Sequence, residues 1–178
     1  MRKPLNFYGL IGLVVVLAAA WIYYSLKEAV PKLYINELMA NNVSCCPDTI
    51  AGQEEFDDWI EIHNAGDKPV DIGGMYLSQH RNEPLGYKIP TTNSALTTIQ
   101  PGGYLVVWAD GSPEQGELHL KFKLSQKGEF LGLFYNDGRT IDSLKFTPQR
   151  ENTSYGRSGE DRGSWMEFSI PTPGKPNQ

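Results

Sequence analysis

Three groups of residues in this chain carry side chains able to do chemistry. Glu61 and His63 stand two apart in Trp59-Ile60-Glu61-Ile62-His63. The run alternates, so both project from the strand face that carries Trp59. A carboxylate beside an imidazole is the raw material of general acid–base catalysis. Hydrolysis also needs a nucleophile and a pocket, and the spacing supplies neither. Asp48, Glu54, Glu55, Asp57 and Asp58 fall within one loop, 43–58. Clustered oxygens are the ligands Ca²⁺ prefers, which makes these five its candidates, although the D-x-D-x-D-G spacing is missing. Cys45 and Cys46 are adjacent and are the chain's two cysteines. Outside the cytoplasm thiols oxidise, but a bridge between neighbours closes a strained ring. The expected order is a strained or free pair, then an intermolecular bridge, then a metal. Zinc needs two more ligands, and His63, His80 and His119 are not closely spaced.

No serine lies in a G-x-S-x-G elbow, and HExxH, a phosphate loop and G-x-G-x-x-G do not occur. The expectation is therefore no catalytic residue and no cofactor, with a hydrolase built on the acidic loop or on Glu61 and His63 as a minor alternative. The remaining polar motif residues read as structural. Asn36 and Glu37 close a first strand, where they satisfy backbone donors or a buried arginine. Trp59 and Trp108 are core or sheet-face aromatics, each burying on the order of 200 Å². Ser154-Tyr155-Gly156-Arg157 sets Arg157 to pair with a strand carboxylate such as Glu61 rather than to bind an anion, because buried charges need partners. Asn42-Val43-Ser44 and Asn152-Thr153-Ser154 are glycosylation sequons.

The elements that must position these residues are mostly strands. After a stalk at 27–32, apolar residues recur in short runs: Leu33 to Ile35, Trp59 to His63, Val70 to Ile72, Met75 to Leu77, Tyr87 to Ile89 and Leu96 to Ile99. Tyr104 to Ala109 is near-continuously apolar and reads as central. Leu118 to Leu124 alternates strictly, with His119, Lys121 and Lys123 on the polar face. Phe130 to Tyr135, Asn136-Asp137-Gly138-Arg139 and Ile141 to Phe146 form a hairpin signal. Trp165 to Phe168 adds a last strand. Gly73-Gly74 reads as a bend or bulge. The stretches 43–57 and 147–163 read as long loops. No segment after 33 shows a helical stripe. The fold expected is an all-β antiparallel sandwich, with 18 Gly and 12 Pro supplying its turns.

Ahead of it, Phe7 to Leu26 carries no charge and as a helix spans about 30 Å, the depth of a bilayer core. Arg2 and Lys3 precede it. The expectation is a cytoplasmic 1–6, a single-pass anchor at 7–26 and an extracytoplasmic body. Cleavage of a signal after Ala20 is the rival reading. The formal net charge is -5 and grows more negative without Arg2 and Lys3, which argues against binding nucleic acid through bulk electrostatics.

Several segments together resemble a known family. They are Tyr34-Ile35-Asn36-Glu37-Leu38-Met39-Ala40-Asn41-Asn42, Asp58-Trp59-Ile60-Glu61-Ile62-His63-Asn64, and Pro69 to Ser78. Pro101-Gly102-Gly103 through Asp110, Phe122 to Ser125, Gly128 to Leu133, Ser154-Tyr155-Gly156-Arg157 and Pro171-Thr172-Pro173-Gly174-Lys175-Pro176-Asn177 complete the set. In this order they look like the lamin tail domain in its bacterial form, across 33–177. The resemblance implies an immunoglobulin-like sandwich without a catalytic centre, acting as a tether or recognition module in envelope-associated proteins. The function expected is a membrane-tethered binding module whose partner is an envelope protein or cell-wall polymer. The alternative is a structural envelope protein that self-associates or packs on the wall.

Overall fold

A computed structural model describes residues 9, 12–18, 29–50, 52–158 and 163–178. The chain divides into two compact units, Met1–Val30 and Pro31–Gln178. In the first, residues 12–18 are helical, and Leu13, Val14, Val15, Val16 and Leu17 are 55–64% exposed. Most of the expected anchor at 7–26 lies outside the described residues. Among the described residues no helix is long and apolar enough to cross a membrane.

The second unit is a β-sandwich. Its strands are β1 (Leu33–Met39), β2 (Asp48–Ile50), β3 (Gln53–Glu55), β4 (Trp59–Asn64), β5 (Val70–Asp71) and β6 (Tyr76–Ser78). β7 (Tyr87–Lys88), β8 (Thr98–Ile99), β9 (Tyr104–Trp108), β10 (Phe130–Phe134) and β11 (Thr140–Lys145) follow, then β12 (Ser154–Ser158) and β13 (Ser164–Phe168). One sheet runs β13-β12-β1-β4-β9 and the other β11-β10-β6-β7, with β2-β3 and β5-β8 as two-stranded additions. The ladders between these strands are antiparallel. Leu33, Ile35, Leu38, Ile60, Ile62 and Val107 from the first sheet share one core with Leu77, Leu131, Leu133 and Leu144 from the second. Alternation along each strand puts these residues inward and their neighbours outward.

Several local readings change. The loop at 43–57 folds partly into the β2-β3 hairpin, turned through Gly52 at φ 84°. The loop at 147–163 contains β12, which sits inside the five-stranded sheet, paired to β1 and β13. Residues 118–124 form no ladder. They touch the end of β9 through single bridges, Trp108 with His119 and Asp110 with Lys123. Leu96 belongs to a helical turn, α1 (Ser94–Thr97), capped where Asn93 Oδ1 accepts from Ala95 N at 3.2 Å. Gly73-Gly74 is a turn that sends β5 and β6 to different sheets, with Gly74 at φ 86°.

Candidate functional site

The motif polar residues converge on the outer face of the five-stranded sheet. Ile60 and Ile62 point into the core, so Trp59, Glu61 and His63 point away from it. A register shift between Ile35 and Glu37 bulges β1 and turns Glu37 outward, directly opposite Glu61. Both glutamates are nonetheless fully buried, because the C-terminal segment 171–177 lies across them. Thr172 donates to Glu37 from its amide at 3.3 Å and from its hydroxyl at 3.2 Å, and Ser154 Oγ donates to Glu37 as well. Glu61 accepts from the Gly174 amide and from Asn36 Nδ2, the latter at 2.8 Å. Asn36 Nδ2 also donates to Asn177 Oδ1 at 3.0 Å, and Asn177 Nδ2 returns to Arg157 O at 2.8 Å.

This segment is a strap, and the two glutamates are its anchor points. Burial pushes the Glu61 carboxyl up to about 8, against the pull of Asn36 and Gly174, and the facing Glu37 adds to the rise. Burial raises Glu37 too. The pair therefore avoids confining two negative charges side by side. Gly156 lies opposite Glu37. A Cβ there would collide with Asn177 Nδ2 and stand 3.1 Å from Glu37 Cγ. Glycine is what lets the strap seat.

Arg157 does not reach Glu61. Its Nη2 meets Asp142 of β11 at 3.0 and 2.8 Å, its Nε donates to Ile35 O at 2.9 Å, and Asp142 Oδ2 accepts from Ile35 N at 2.9 Å. The expected structural salt bridge exists, with the other sheet as partner. It clasps the backbone of β1 just before the bulge and ties the two sheets at one edge. Tyr34 and Trp165 flank the guanidinium, with ring centroids 5.4 and 4.7 Å away. Tyr155 points to the core and stacks on Trp165 at 5.3 Å. Trp59 is fully buried on the outer sheet face, opposite Met39 and the half-buried Trp108. Its Nε1 has no hydrogen-bond partner among the described residues. His63 is buried with its ring 4.4 Å from Tyr104. Glu61 and His63 thus share a face, and neither opens to solvent.

The acidic loop is divided by its own hairpin. Asp48 pairs opposite Glu55, whereas Glu54 pairs opposite Thr49, so Glu54 projects to the other side. Asp58 Oδ1 accepts from Asn42 N at 3.1 Å, and burial pushes its carboxyl up to about 6. Burial raises Asp57 first, then the charges of Asp110 and Glu55. Among the described residues no group of three or more His, Cys, Asp and Glu is arranged to hold a metal ion. The calcium candidates gain no support from this arrangement.

His119, read on the polar face of an alternating strand with Lys121 and Lys123, is buried beside two aspartates. Its Nδ1 lies 2.8 Å from Asp110 Oδ2 and its Nε2 lies 3.5 Å from Asp48 Oδ2. Asp110 holds Nδ1 by a hydrogen bond, whereas Nε2 and Asp48 Oδ2 stand too far apart for one and approach only as a charge pair. Sequence spacing hid this trio, as it hid Asp142, because the partners come from separate strands. Cys45 and Cys46 form a disulfide with each other. Asn152 holds the loop beside them, its Oδ1 accepting from Val43 N and Ser44 N at 2.9 Å each. Both sequon asparagines are occupied, for Asn42 Nδ2 donates to Asp57 O at 2.8 Å.

Among the described residues, two open surfaces flank the four-stranded sheet. A groove of about 340 Å³ lies beside β6 and β7, between Leu85, Tyr87 and Phe122, with His80, Glu83 and Lys121 on its rim. A smaller cavity of about 160 Å³ lies on the outer face of the four-stranded sheet, lined by Arg81, Phe130, Phe134, Thr140 and Ser143. Compared with known proteins, residues 27–148 match the family model of the Lamin Tail Domain. No curated protein matches the chain. The matched span stops short of β12, so the strap and the Arg157 end of the clasp lie beyond it.

Proposed function

We propose, from the premise that this chain belongs to the lamin tail domain family, that it is a non-catalytic binding module of the bacterial, envelope-associated kind, held to a membrane by its N-terminal segment with the sandwich outside. One observation carries the non-catalytic part. Glu37, Glu61, His63, Asp110 and His119 are each at most 6% exposed, and the carboxylates and the Nδ1 of His119 are spent on bonds that hold strands, strap and the end of β9 together. Catalysis needs such groups within reach of a substrate atom. What is left for work is surface and loops, where recognition resides.

The membrane part rests on Phe7 to Leu26 and on the apolar side chains exposed along residues 12–18. Seven consecutive helical residues face every direction, and an all-round apolar helix finds its solvent in lipid or in protein. Cross-linking the intact protein in its own membrane, followed by partner identification, tests the binding role. A specific envelope partner is the expected result, and none above background counts against it. External protease on whole protoplasts tests the placement. Digestion of the sandwich supports it, and full protection overturns it. Turnover of ester, phosphate or glycoside substrates that vanishes in Glu61→Gln would revive the hydrolase.

A further inference from the structure

The outer face of the four-stranded sheet differs from the rest of this acidic chain. Leu131, Leu133 and Leu144 point into the core, so register fixes what points out. Lys88, Tyr76, Phe134 and Thr140 form one row straight across the sheet, Ser78, Gly132 and Ser143 a second, and Phe130 and Lys145 a third. None of these outward positions is a carboxylate. Arg81 arches over the face, its guanidinium 5.6 Å from the Phe130 ring centroid, and Lys88 stands 6.0 Å from the Tyr76 ring. Among the described residues Arg81, Lys88 and Lys145 have no carboxylate partner. The two phenyl rings close over Gly132. A Cβ there would stand 2.7 Å from Phe134 Cζ and 3.1 Å from Phe130 Cε1. The result is an aromatic floor, a free guanidinium above it, two hydroxyls at its side and a cavity of about 160 Å³ between them.

We propose that this face binds an anionic saccharide chain, its carboxylate or phosphate groups meeting Arg81, Lys88 and Lys145 and a sugar ring lying against Phe130 and Tyr76. The inference rests on the binding-module reading and names the class of its partner. Charge complementarity selects the sign, since three unpaired cations gather on one face of a chain whose net charge is -5. Charge-assisted bonds from a guanidinium fit carboxylate and phosphate. Thr140 and Ser143 offer hydroxyls of the kind that pair with sugar hydroxyls. The acidic remainder of the surface disfavours nucleic acid, whose long phosphate array would meet it. Phe134 is only 3% exposed, so the face has no deep apolar wedge for a lipid bilayer.

The test uses the full chain in a zwitterionic detergent, followed by the NMR signals of Phe130, Gly132 and Ser143. Tetragalacturonate and glucose 6-phosphate are expected to shift these signals, and maltotetraose to do so about tenfold more weakly for want of a charge. Arg81→Gln, at an exposed position, should weaken tetragalacturonate about tenfold. Phe130→Leu should weaken the charged and neutral sugars together. Absence of shifts at millimolar saccharide, shifts indifferent to Arg81→Gln, or equal shifts from a short DNA duplex overturn the proposal. If an envelope partner is still captured while no saccharide shifts the face, this inference falls and the binding-module reading stands.

Discussion

Each sheet of this sandwich turns one side to a shared core, and the sides turned away are used in opposite manners. On the five-stranded sheet Glu37, Glu61 and His63 face outward yet are buried, the glutamates under a strap whose donors they bind. On the four-stranded sheet Lys88, Lys145 and Arg81 face outward and stay exposed without a carboxylate partner among the described residues. Residue type alone does not separate the two. A glutamate with a histidine two positions on looks like chemistry, and a scatter of lysines looks like solvated surface. The surroundings reverse that ranking. Polar groups that have found every partner within the fold hold it together, and those left open are available to something else.

The sharpest way to break the contrast is to open the clasp. Asp142→Ala strips a partner from Arg157 and from the Ile35 amide at once, in a pair whose side chains are 11 and 13% exposed. A loss of about 3–5 kcal/mol in urea unfolding is expected, the range for leaving one half of a buried pair behind. A loss below about 1 kcal/mol would mean that the edge is held some other way. Next comes Gly156→Ala, which drives a methyl into the Asn177 amide and displaces the strap. It should cost about 1–3 kcal/mol, the range for overpacking. In the double variant with Asn177→Gly the cost should fall below the sum of the single changes. Strict additivity would mean that the strap and Gly156 do not communicate.

Why part of this arrangement was legible in advance follows from where each signal resides. Apolar runs, alternation of residue type and turn residues are local signals, so β1, β4, β9 and the β10-β11 hairpin could be read from their own residues. β12 escaped because Ser154-Tyr155-Gly156-Arg157 lacks the apolar alternation of a central strand. Its outward face packs on a glutamate and the strap instead of on water. The stretch 118–124 misled in the other direction. Its alternation is real in that Leu120 and Leu124 are buried, but Asp110 and Asp48 draw His119 inside as well. The Arg157 salt bridge could be foreseen from charge, whereas its partner could not, since Asp142 meets Arg157 only when the sheets close. The basic face was invisible for the same reason. Arg81, Lys88 and Lys145 are scattered in sequence and gather only through strand register.

A gentler probe is pH. A carboxyl whose folded pKa is raised holds its proton more tightly in the folded chain than in the unfolded one. The stability Glu61 contributes is thus full below about 4.5 and is lost as pH rises through about 8. Asp58, pushed up to about 6, acts in the same direction over a lower window. Tm should therefore decline between pH 5 and 8, by about 2–4 °C for each kcal/mol lost. Glu61→Gln cannot ionise, and its Tm should change less over that interval. A variant whose slope equals that of the wild type would show that the strap tolerates a charged Glu61.

The smallest expected effect is the one that sharpens the comparison most. Lys88→Gln with Lys145→Gln removes two charges from the open face, as Asp142→Ala removes one from the clasp. Both lysines are exposed and neither forms an ion pair among the described residues. Unfolding free energy should stay within about 0.5 kcal/mol of the wild type, the usual range for surface changes remote from special contacts. Lys88 does lie near the Tyr76 ring, and an exposed cation–π contact contributes about 0.5–1 kcal/mol at most. A loss well beyond that would mean that these lysines serve the fold as the buried glutamates do, and the distinction between the two faces would dissolve. Stability unchanged alongside weaker tetragalacturonate binding would instead separate the two roles by experiment, one face spent on folding and the other kept for a partner.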